Sequence, residues 1–424
     1  YEITNSEKDA DVLIINTCAF IKPAIDEALN EIRHALELKR EGVIKYVVVA
    51  GCLPQRARGK GLEVKGKGKA FSKVDAWIGS GNIDKIVECV NSLEAPSHLI
   101  PHTPYLSSHS SRLFDWKTPR IKATPRHYAY IKIADGCDNK CTYCAVPMIR
   151  GPFKSRPIED IVAEAKILAR SGTKELILVA QDTTNYGTDL YGKLMLPVLL
   201  KKLCRIPGLK WIRIMYAHPD HMTDELIKVI AKEKKIVKYI DLPIQHICDN
   251  ILRRMGRRVS RRKIIDLIAK IRTLIPVIAI RTTFIVGFPG ETRSDFKELL
   301  DFIKKERFER LGIFAYSAEE GTPAAQLRGK LPEAVRISRF RQAMCLQNQI
   351  SKKLNEEKRN KVFEVLVDSK AQKGFIGRTA SDAPEIDGSV VISPPYGGHI
   401  KVGDFVSVKV KRTDAYDLFG ALIT

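Results

Sequence analysis

Cys137, Cys141 and Cys144 stand in "GCDNKCTYC", three of the nine cysteines of a 424-residue chain gathered within eight positions. The spacing C-x3-C-x2-C differs from the paired C-x2-C of zinc ribbons and from the four-cysteine runs of ferredoxins. Three thiolates hold three irons of a [4Fe-4S] cluster and leave the fourth iron open to an external ligand. The alternative is a structural zinc ion with a fourth ligand such as His127. A second pair of soft ligands, Cys18 in "LIINTC" and Cys52 in "VVVAGC", follows two β-branched runs. Ends of neighbouring parallel strands converge on one crevice, so these two cysteines are expected to share a site. Cys89 falls in a helical stretch and reads, like Cys204, Cys248 and Cys345, as an inert thiol.

These groups need elements to hold them. Residues 11–80 alternate short apolar runs ("DVLII", "YVVVAG", "VDAWIG") with an amphipathic helix, "KPAIDEALNEIRHALELKR", which predicts an open α/β layer. From about Ala95 the chain turns rich in Pro, Ser and His, a linker composition. Six strand candidates then alternate with helices: "YAYIKIAD", "ELILVAQD", "WIRIMYAH", "KYIDLPIQ", "IAIRTTFIVGF" and "RLGIFAYS". Such a series predicts a partial, TIM-like (β/α)6 barrel, and "GCDNKCTYC" follows its first strand, at the end where barrels gather reacting groups. A long polar helix is expected from about Pro332 to Asn360. The last 65 or so residues change to short strands with glycine turns, a small antiparallel β-barrel. The expected division is therefore an N-terminal domain over 1–94, a linker over 95–122, a barrel core over 123–356 and a small barrel over 357–424.

Composition bounds the setting. A formal net charge of +22 suits a polyanionic environment. No run of about 18 apolar residues predicts a membrane span, and no basic-then-apolar leader opens the chain. Nine cysteines without framework spacing fit a reducing cytoplasm better than a secreted disulfide scaffold.

The triplet, with Tyr143 before its last cysteine, resembles the signature of radical S-adenosylmethionine (SAM) enzymes. That resemblance implies that the open iron chelates SAM and that Tyr143 lies near its adenine. "NTCAF" and "GCLPQR" resemble two of three cysteine motifs in the N-terminal domain of methylthiotransferases, which implies an auxiliary [4Fe-4S] cluster on Cys18 and Cys52. The family's third motif, a Gly-Cys after the first strand, is expected upstream of Tyr1. "AQDTTNYG" and "MYAHPDH" put Gln181, Asp182, Arg213 and His218 near the barrel mouth, where they resemble family positions that bind cofactor. "VGFPGET" offers the backbone N–H groups of Gly287 and Gly290 to the cofactor, or forms a plain turn capped by Thr292. "RRMGRRVSRRK", with seven positive charges, reads as a solvated helix face or an RNA-facing patch.

Two branches of that family share these motifs, one acting on adenosine in transfer RNA and the other on an aspartate of ribosomal protein S-twelve. The C-terminal barrel resembles a TRAM domain, and from Lys361 onward eight basic and eight acidic residues leave no net charge. Acidic clusters at Asp382, Glu385 and Asp387, at Asp414 and Asp417, and at Glu319 and Glu320 are expected to face a site, repelling phosphate and attracting a lysine-rich protein loop. "AYSAEEGT", "DAPEIDG" and "AYDLFG" resemble the ribosomal-protein branch. That branch implies two [4Fe-4S] clusters and SAM, with ribosomal protein S-twelve, free or in the small ribosomal subunit, as substrate. It also implies a ribosomal RNA contact and an electron donor such as flavodoxin or ferredoxin. The rivals are a tRNA adenosine 2-methylthiotransferase and a non-catalytic iron-sulfur protein that binds ribosomes through its basic patch.

Overall fold

Apolar runs separated by amphipathic helices bury both faces only as parallel strands with helices laid against them, and the computed structural model follows that rule. It describes residues 1–4, 6–57, 73–93, 113, 115–118, 120, 122–393 and 400–423. Most of the expected linker therefore lies outside the described residues. Two compact units make up the chain. The first comprises Tyr1–Leu113, Asp135–Lys154 and Ser317–Gln326, and the second Phe114–Ala134, Ser155–Tyr316 and Leu327–Thr424.

In the first unit, β1 (Val12–Thr17), β2 (Tyr46–Gly51) and β3 (Ala76–Gly79) form a parallel sheet in that order. Helix α1 (Lys22–Arg40) sends Leu29, Ile32 and Ala35 into a core with Val47 and Val49 on one face. On the other face α3 (Ile86–Leu93) packs Cys89, Val90 and Leu93 against Val48, Ala50 and Ile78. A short α2 (Cys52–Ala57) starts directly at the end of β2. The cysteine loop joins this same body: its exit helix α4 (Val146–Arg150) buries Ala145 and Ile149 in the core beneath α1 and β2. Chain order had grouped that loop with the barrel; apolar contact groups it with the sheet.

The second unit carries the six expected barrel strands. They are β4 (Tyr128–Lys132), β7 (Glu175–Val179), β8 (Trp211–Ile214), β9 (Tyr239–Asp241), β10 (Ala279–Val286) and β11 (Arg310–Ala315). Two-residue strands β5 (Ala134–Asp135) and β6 (Lys154–Ser155) flank the cysteine loop in sequence. The crossovers hold α5 (Ile158–Arg170), α6 (Thr188–Tyr191), α7 (Leu196–Cys204), α8 (Asp224–Lys232), α9 (Asp249–Arg254), α10 (Arg261–Leu274) and α11 (Arg293–Glu306). Pairing is parallel throughout, in the orders β4-β7-β8 and β11-β10-β9, and the two sheets are joined through a bridge from Ile212 to Ile236. The partial (β/α)6 barrel is followed by the polar helix α12 (Glu333–Glu356). A closed barrel of β12 (Val362–Lys370), β13 (Phe375–Thr379), β14 (Val390–Ile392), β15 (Phe405–Thr413) and β16 (Leu418–Leu422) completes the chain. No helix of the described residues is long and apolar enough to cross a membrane.

The small barrel closes the end at which the six strands begin. Tyr128 donates to Glu385 at 3.0 Å and Tyr239 to Asp387 at 2.8 Å. Glu175 pairs with Arg378 at 2.5 Å, and Arg310 pairs with Asp382. Trp211 meets Phe405 edge-on with ring centres 4.8 Å apart, and Ala279 packs in one core with Leu366 and Ala383. This corrects the reading of the acidic clusters. Asp382 and Asp387 are not free to face a partner, because Arg310, Arg281 and Tyr239 consume their charge inside the unit. Asp414 accepts the N–H groups of Tyr416 and Asp417 within a turn, and Asp417 accepts from the N–H and hydroxyl of Ser389. Glu319 is buried and paired to Arg56 at 3.1 Å.

Candidate metal and cofactor site

The loop of three cysteines is held at both ends. At its entry Gly136 takes φ +79°, and a Cβ there would collide with the Pro152 carbonyl. Only glycine adopts that conformation and leaves that gap. The Cys137 N–H donates to the Gly151 carbonyl at 3.1 Å, and the Phe153 N–H to the Asp138 carboxylate at 3.1 Å. Inside the loop the Cys144 N–H reaches the Cys141 carbonyl at 3.2 Å, and Ala324 N–H ties Thr142 to the segment after β11 at 2.9 Å. Cys137, Cys141, Tyr143 and Cys144 are all half-buried, and the nine cysteines form no disulfide.

Cys18 and Cys52 each follow one of a matched pair, Thr17 and Gly51, in the parallel register of β1 and β2. The Thr17 hydroxyl donates to Ala50 O and accepts from the Leu53 N–H, which ties the two loop starts together. Cys18 is exposed and Cys52 buried. Burial pushes the Cys52 thiol up, and the Arg150 guanidinium opposes that shift by donating to its sulfur at 3.4 Å. Cys89 shows the contrast: burial among apolar groups, joined by the charge of Glu88, pushes its thiol up to about 11. Cys204 is likewise raised to about 11, and Cys248 is raised by burial and by donating to Glu298 at 3.0 Å.

In the second unit the strand ends carry polar groups. Beyond β7, the Oε1 of Gln181 is buried without a hydrogen-bond partner among the described residues. Asp182 accepts from Thr184 Oγ1 at 2.6 Å and pairs with Nδ1 of His221 at 2.8 Å. Burial alone would lower the His221 pKa, but Asp182 outweighs it and raises it. His218, two residues past Tyr216, is pushed down to about 3 by burial and by the charge of Arg257. Tyr216 itself holds φ +57°, and Gln245, beyond β9, holds φ +74°. Such backbone strain in non-glycine residues gathers at functional sites. The Gln245 Oε1 is also buried without a partner among the described residues.

Other expected positions fall elsewhere. Arg213 is fully buried at the beginning of the strands, where it pairs with Glu175 at 2.8 Å, donates to the Ala380 carbonyl and lies 4.6 Å from the Tyr239 ring centre. It is a floor residue because its side chain reaches back toward the strand starts. The Gly287 N–H donates to the Glu291 carboxylate and the Gly290 N–H to Gly329 O at 2.8 Å, so both donors are already engaged. Thr292 caps α11 through a capping box with Asp295. His127 pairs its Nε2 with the Asp368 carboxylate at 2.8 Å. In "RRMGRRVSRRK", Arg254 and Arg257 turn inward onto the carbonyls of Pro289 and Pro243, while Arg253, Arg258, Arg261, Arg262 and Lys263 are exposed.

Sequence reasoning passed over Gln245, His221, Tyr216 and Arg150. "KYIDLPIQ" read as strand to its last residue, yet Pro243 already marked the break that frees Gln245. His221 was visible as the second histidine of "HPDH", spaced from His218 by one short turn.

The residues present fit the groups the sequence implied. Three half-buried thiols on a fixed loop suit a cluster with one open iron. Two orphaned amide oxygens at strand ends are acceptors for the ammonium, hydroxyl and amino donors that SAM carries.

Residues 131–303 match the radical SAM superfamily, 361–423 the TRAM domain and 1–78 the uncharacterized protein family UPF0004. The chain is 46% identical over 426 residues to the ribosomal protein uS12 methylthiotransferase RimO of Desulforamulus reducens, covering 100% of this chain and 93% of the relative. It is 43% identical over 427 residues to that of Clostridioides difficile, with the same coverage. Among solved structures, the radical SAM methyltransferase TsrM from Kitasatospora setae, with cobalamin and a [4Fe-4S] cluster bound, aligns with a TM-score of 0.54 at 14% identity. That alignment covers 74% of this chain and 65% of that one, a likeness of fold.

Proposed function

This chain belongs to the RimO family of radical SAM methylthiotransferases, and we propose from that premise how its residues serve the addition of a methylthio group to the β-carbon of an aspartate in ribosomal protein uS12. The identity over the whole chain length carries the assignment. When bound, a [4Fe-4S] cluster and SAM supply the means to break an unactivated C–H bond, which no acid or base of the protein could do.

Cys137, Cys141 and Cys144 hold that cluster, and the Gly136 turn with the Ala324–Thr142 tie keeps their loop in one conformation. Gln181 and Gln245 offer buried amide oxygens that would accept from donors of SAM, and by the family resemblance Tyr143 would serve its adenine. His221, its protonated form favoured by Asp182, together with Arg257 suits a carboxylate, of which the target aspartate and SAM each bring one. By the family resemblance Cys18 and Cys52 would be two of the thiolates that a second [4Fe-4S] cluster needs, and the Arg150 cation against Cys52 suits a thiolate there.

A ribosomal RNA contact is supported by how charge is sorted in the small barrel. Its acids Asp368, Asp382, Glu385 and Asp387 are engaged against barrel residues. Lys361, Lys370, Lys373, Lys401, Lys411 and Arg412 are exposed. A domain of zero net charge can therefore present a basic exterior to phosphate. An acidic electron donor of the flavodoxin or ferredoxin class suits the +22 chain, and a ribosomal substrate supports a cytoplasmic setting.

The test is anaerobic reconstitution with iron and sulfide, then incubation with dithionite, SAM and either uS12 or tRNA. Mass spectrometry showing one methylthio group on a uS12 aspartate supports the assignment. Modified tRNA adenosine with untouched uS12 would replace it with the tRNA reaction, and no product with either would favour the non-catalytic rival.

A further inference from the structure

One side chain gathers three loops at the end of the barrel where β9 and β10 finish. Arg254, the last residue of α9, donates its Nε to the Pro289 carbonyl at 2.9 Å and a terminal nitrogen to the Arg328 carbonyl at 3.0 Å. Its guanidinium lies so close over Gly290 that a Cβ there would fall 2.9 Å from it. The Gly290 N–H closes the arrangement on the Gly329 carbonyl at 2.8 Å. Residues 253–258, 289–293 and 328–330, far apart in the chain, therefore form one piece of surface, all of it within the second unit.

That surface carries charge of one sign. Arg253, Arg258, Arg293, Arg328 and Lys330 are exposed, and none of the five forms an ion pair among the described residues. The neighbouring acids are committed elsewhere. Glu291 is buried and lies 3.2 Å from Arg339, Asp295 closes the capping box of α11, and Glu298 pairs with Arg261. Glu333, at the start of α12, is exposed and offsets one of the five charges. Charge concentrated in this way repels itself and weakens the folded state. A solvated helix face spreads its cations among acids one turn away, as Arg262 does with Asp266. Here the cations come from three loops that the fold brings together.

Their chemistry selects the partner. Four of the five are arginines, whose planar fork meets two phosphate oxygens at once and is more weakly hydrated than an ammonium. The three segments contain no aromatic residue, so unstacked bases find no platform on them. Contacts confined to phosphates hold a duplex without reading its sequence.

We propose that Arg253, Arg258, Arg293, Arg328 and Lys330 form a docking surface for the phosphate backbone of double-helical RNA, held in shape by Arg254. It lies at the opposite end of the six strands from the small barrel, so it is a second RNA surface beyond the one assigned to that barrel. It does not depend on the chemistry at the cysteines.

The experiment uses the reconstituted full chain and fluorescence anisotropy over a range of KCl concentrations. One probe is a fluorescein-labelled RNA duplex of mixed sequence and the other fluorescein-labelled polyglutamate. The parent is compared with the quadruple variant Arg253→Gln/Arg258→Gln/Arg293→Gln/Arg328→Gln. The control, Lys228→Gln/Lys232→Gln/Lys304→Gln/Lys305→Gln, removes the same charge from exposed positions of α8 and α11 outside the three loops. The expected result is a Kd for the duplex raised about tenfold or more in the loop variant, with a salt dependence shallower by about one for each phosphate contact removed. The control should stay much closer to the parent in both readings. If thermal unfolding shows the loop variant to be unfolded, Arg328→Gln/Lys330→Gln decides by the same two readings. Equal losses in variant and control, or a parent that does not bind the duplex, would overturn the proposal. Lost polyglutamate binding with RNA binding unchanged would overturn it in favour of an acidic protein partner. The uS12 assignment is tested separately, by modification of free uS12, so the two can fail independently.

Discussion

Replacing Glu175 by Gln removes one negative charge from the floor of the barrel and almost nothing else. Glu175 is fully buried and serves two cations, Arg213 at 2.8 Å and Arg378 at 2.5 Å, both themselves nearly inaccessible. Burial by itself would raise its carboxyl pKa, but the two guanidiniums outweigh that and hold it below the usual range. The amide has the same shape, so the change isolates electrostatics. Breaking a buried pair from one side costs about 3–5 kcal/mol because the partner charge is left uncompensated. For a domain of a few hundred residues this lowers Tm by roughly 6–12 °C, at about 2 °C or slightly more per kcal/mol. Thermal unfolding of the iron-free protein, followed by circular dichroism, reads the effect without interference from cluster loss. Replacing Glu175, Arg213 and Arg378 together by apolar residues of similar volume should recover most of the loss, since whole buried ionic groups are often exchanged at little cost. The pH dependence has a definite sign. A carboxylate whose folded pKa is depressed binds protons more readily in the unfolded chain, so its stabilisation is present above the ordinary value of 4.5 and is lost as pH falls below it. Glu175→Gln should therefore flatten the acid limb of the stability curve. A Tm within about 2 °C of the parent, with an unchanged acid limb, would refute the view that this ion group holds the two barrels together.

Three further outcomes follow from the same geometry. Gly136→Ala, forced against the Pro152 carbonyl at φ +79°, should leave a folded protein that retains little iron at the Cys137 site after reconstitution, measured by colorimetric iron assay. Gln245→Leu should weaken SAM binding about tenfold, the loss of one hydrogen bond of ~1.4 kcal/mol, in equilibrium dialysis; unchanged affinity would take Gln245 out of the site. Asp182→Asn should lower the His221 pKa, since the carboxylate is what raises it against burial, and nuclear magnetic resonance titration of the ring protons reads this directly.

Much of the architecture was visible in the chain because its signals are local. The six strand runs were legible from β-branched residues between helices, and Cys137, Cys141 and Cys144 from a spacing that few other sites share. What needed the structure was long-range. Asp382 and Asp387 read as free acidity because a sequence shows a charge but not the Arg310 or Arg281 that absorbs it. The branch assignment was right, yet this charge argument for it was not; the resemblance of "AYSAEEGT" and "DAPEIDG" carried it. Arg213 was expected at the mouth because it leads into "MYAHPDH" and resembles a family position, but inward-pointing side chains of a strand reach toward either end, and Glu175 draws this one to the floor. The burial of Ala145 and Ile149 under α1 could not be read from order along the chain, since "CAVPMIRG" follows a barrel strand and packs in another unit. Gln245 was hidden inside an apparent strand whose regular part ends at Asp241.

The central claim is that three thiolates, and only three, hold a cluster whose fourth iron accepts an outside ligand. Mössbauer spectroscopy of anaerobically reconstituted, iron-57-labelled protein, before and after adding SAM, tests it most directly. The account predicts a [4Fe-4S] spectrum in which one iron changes its parameters on adding SAM, a change lost in Cys141→Ala. A mononuclear tetrahedral ion at Cys137, Cys141 and Cys144, or a cluster indifferent to SAM, would contradict it.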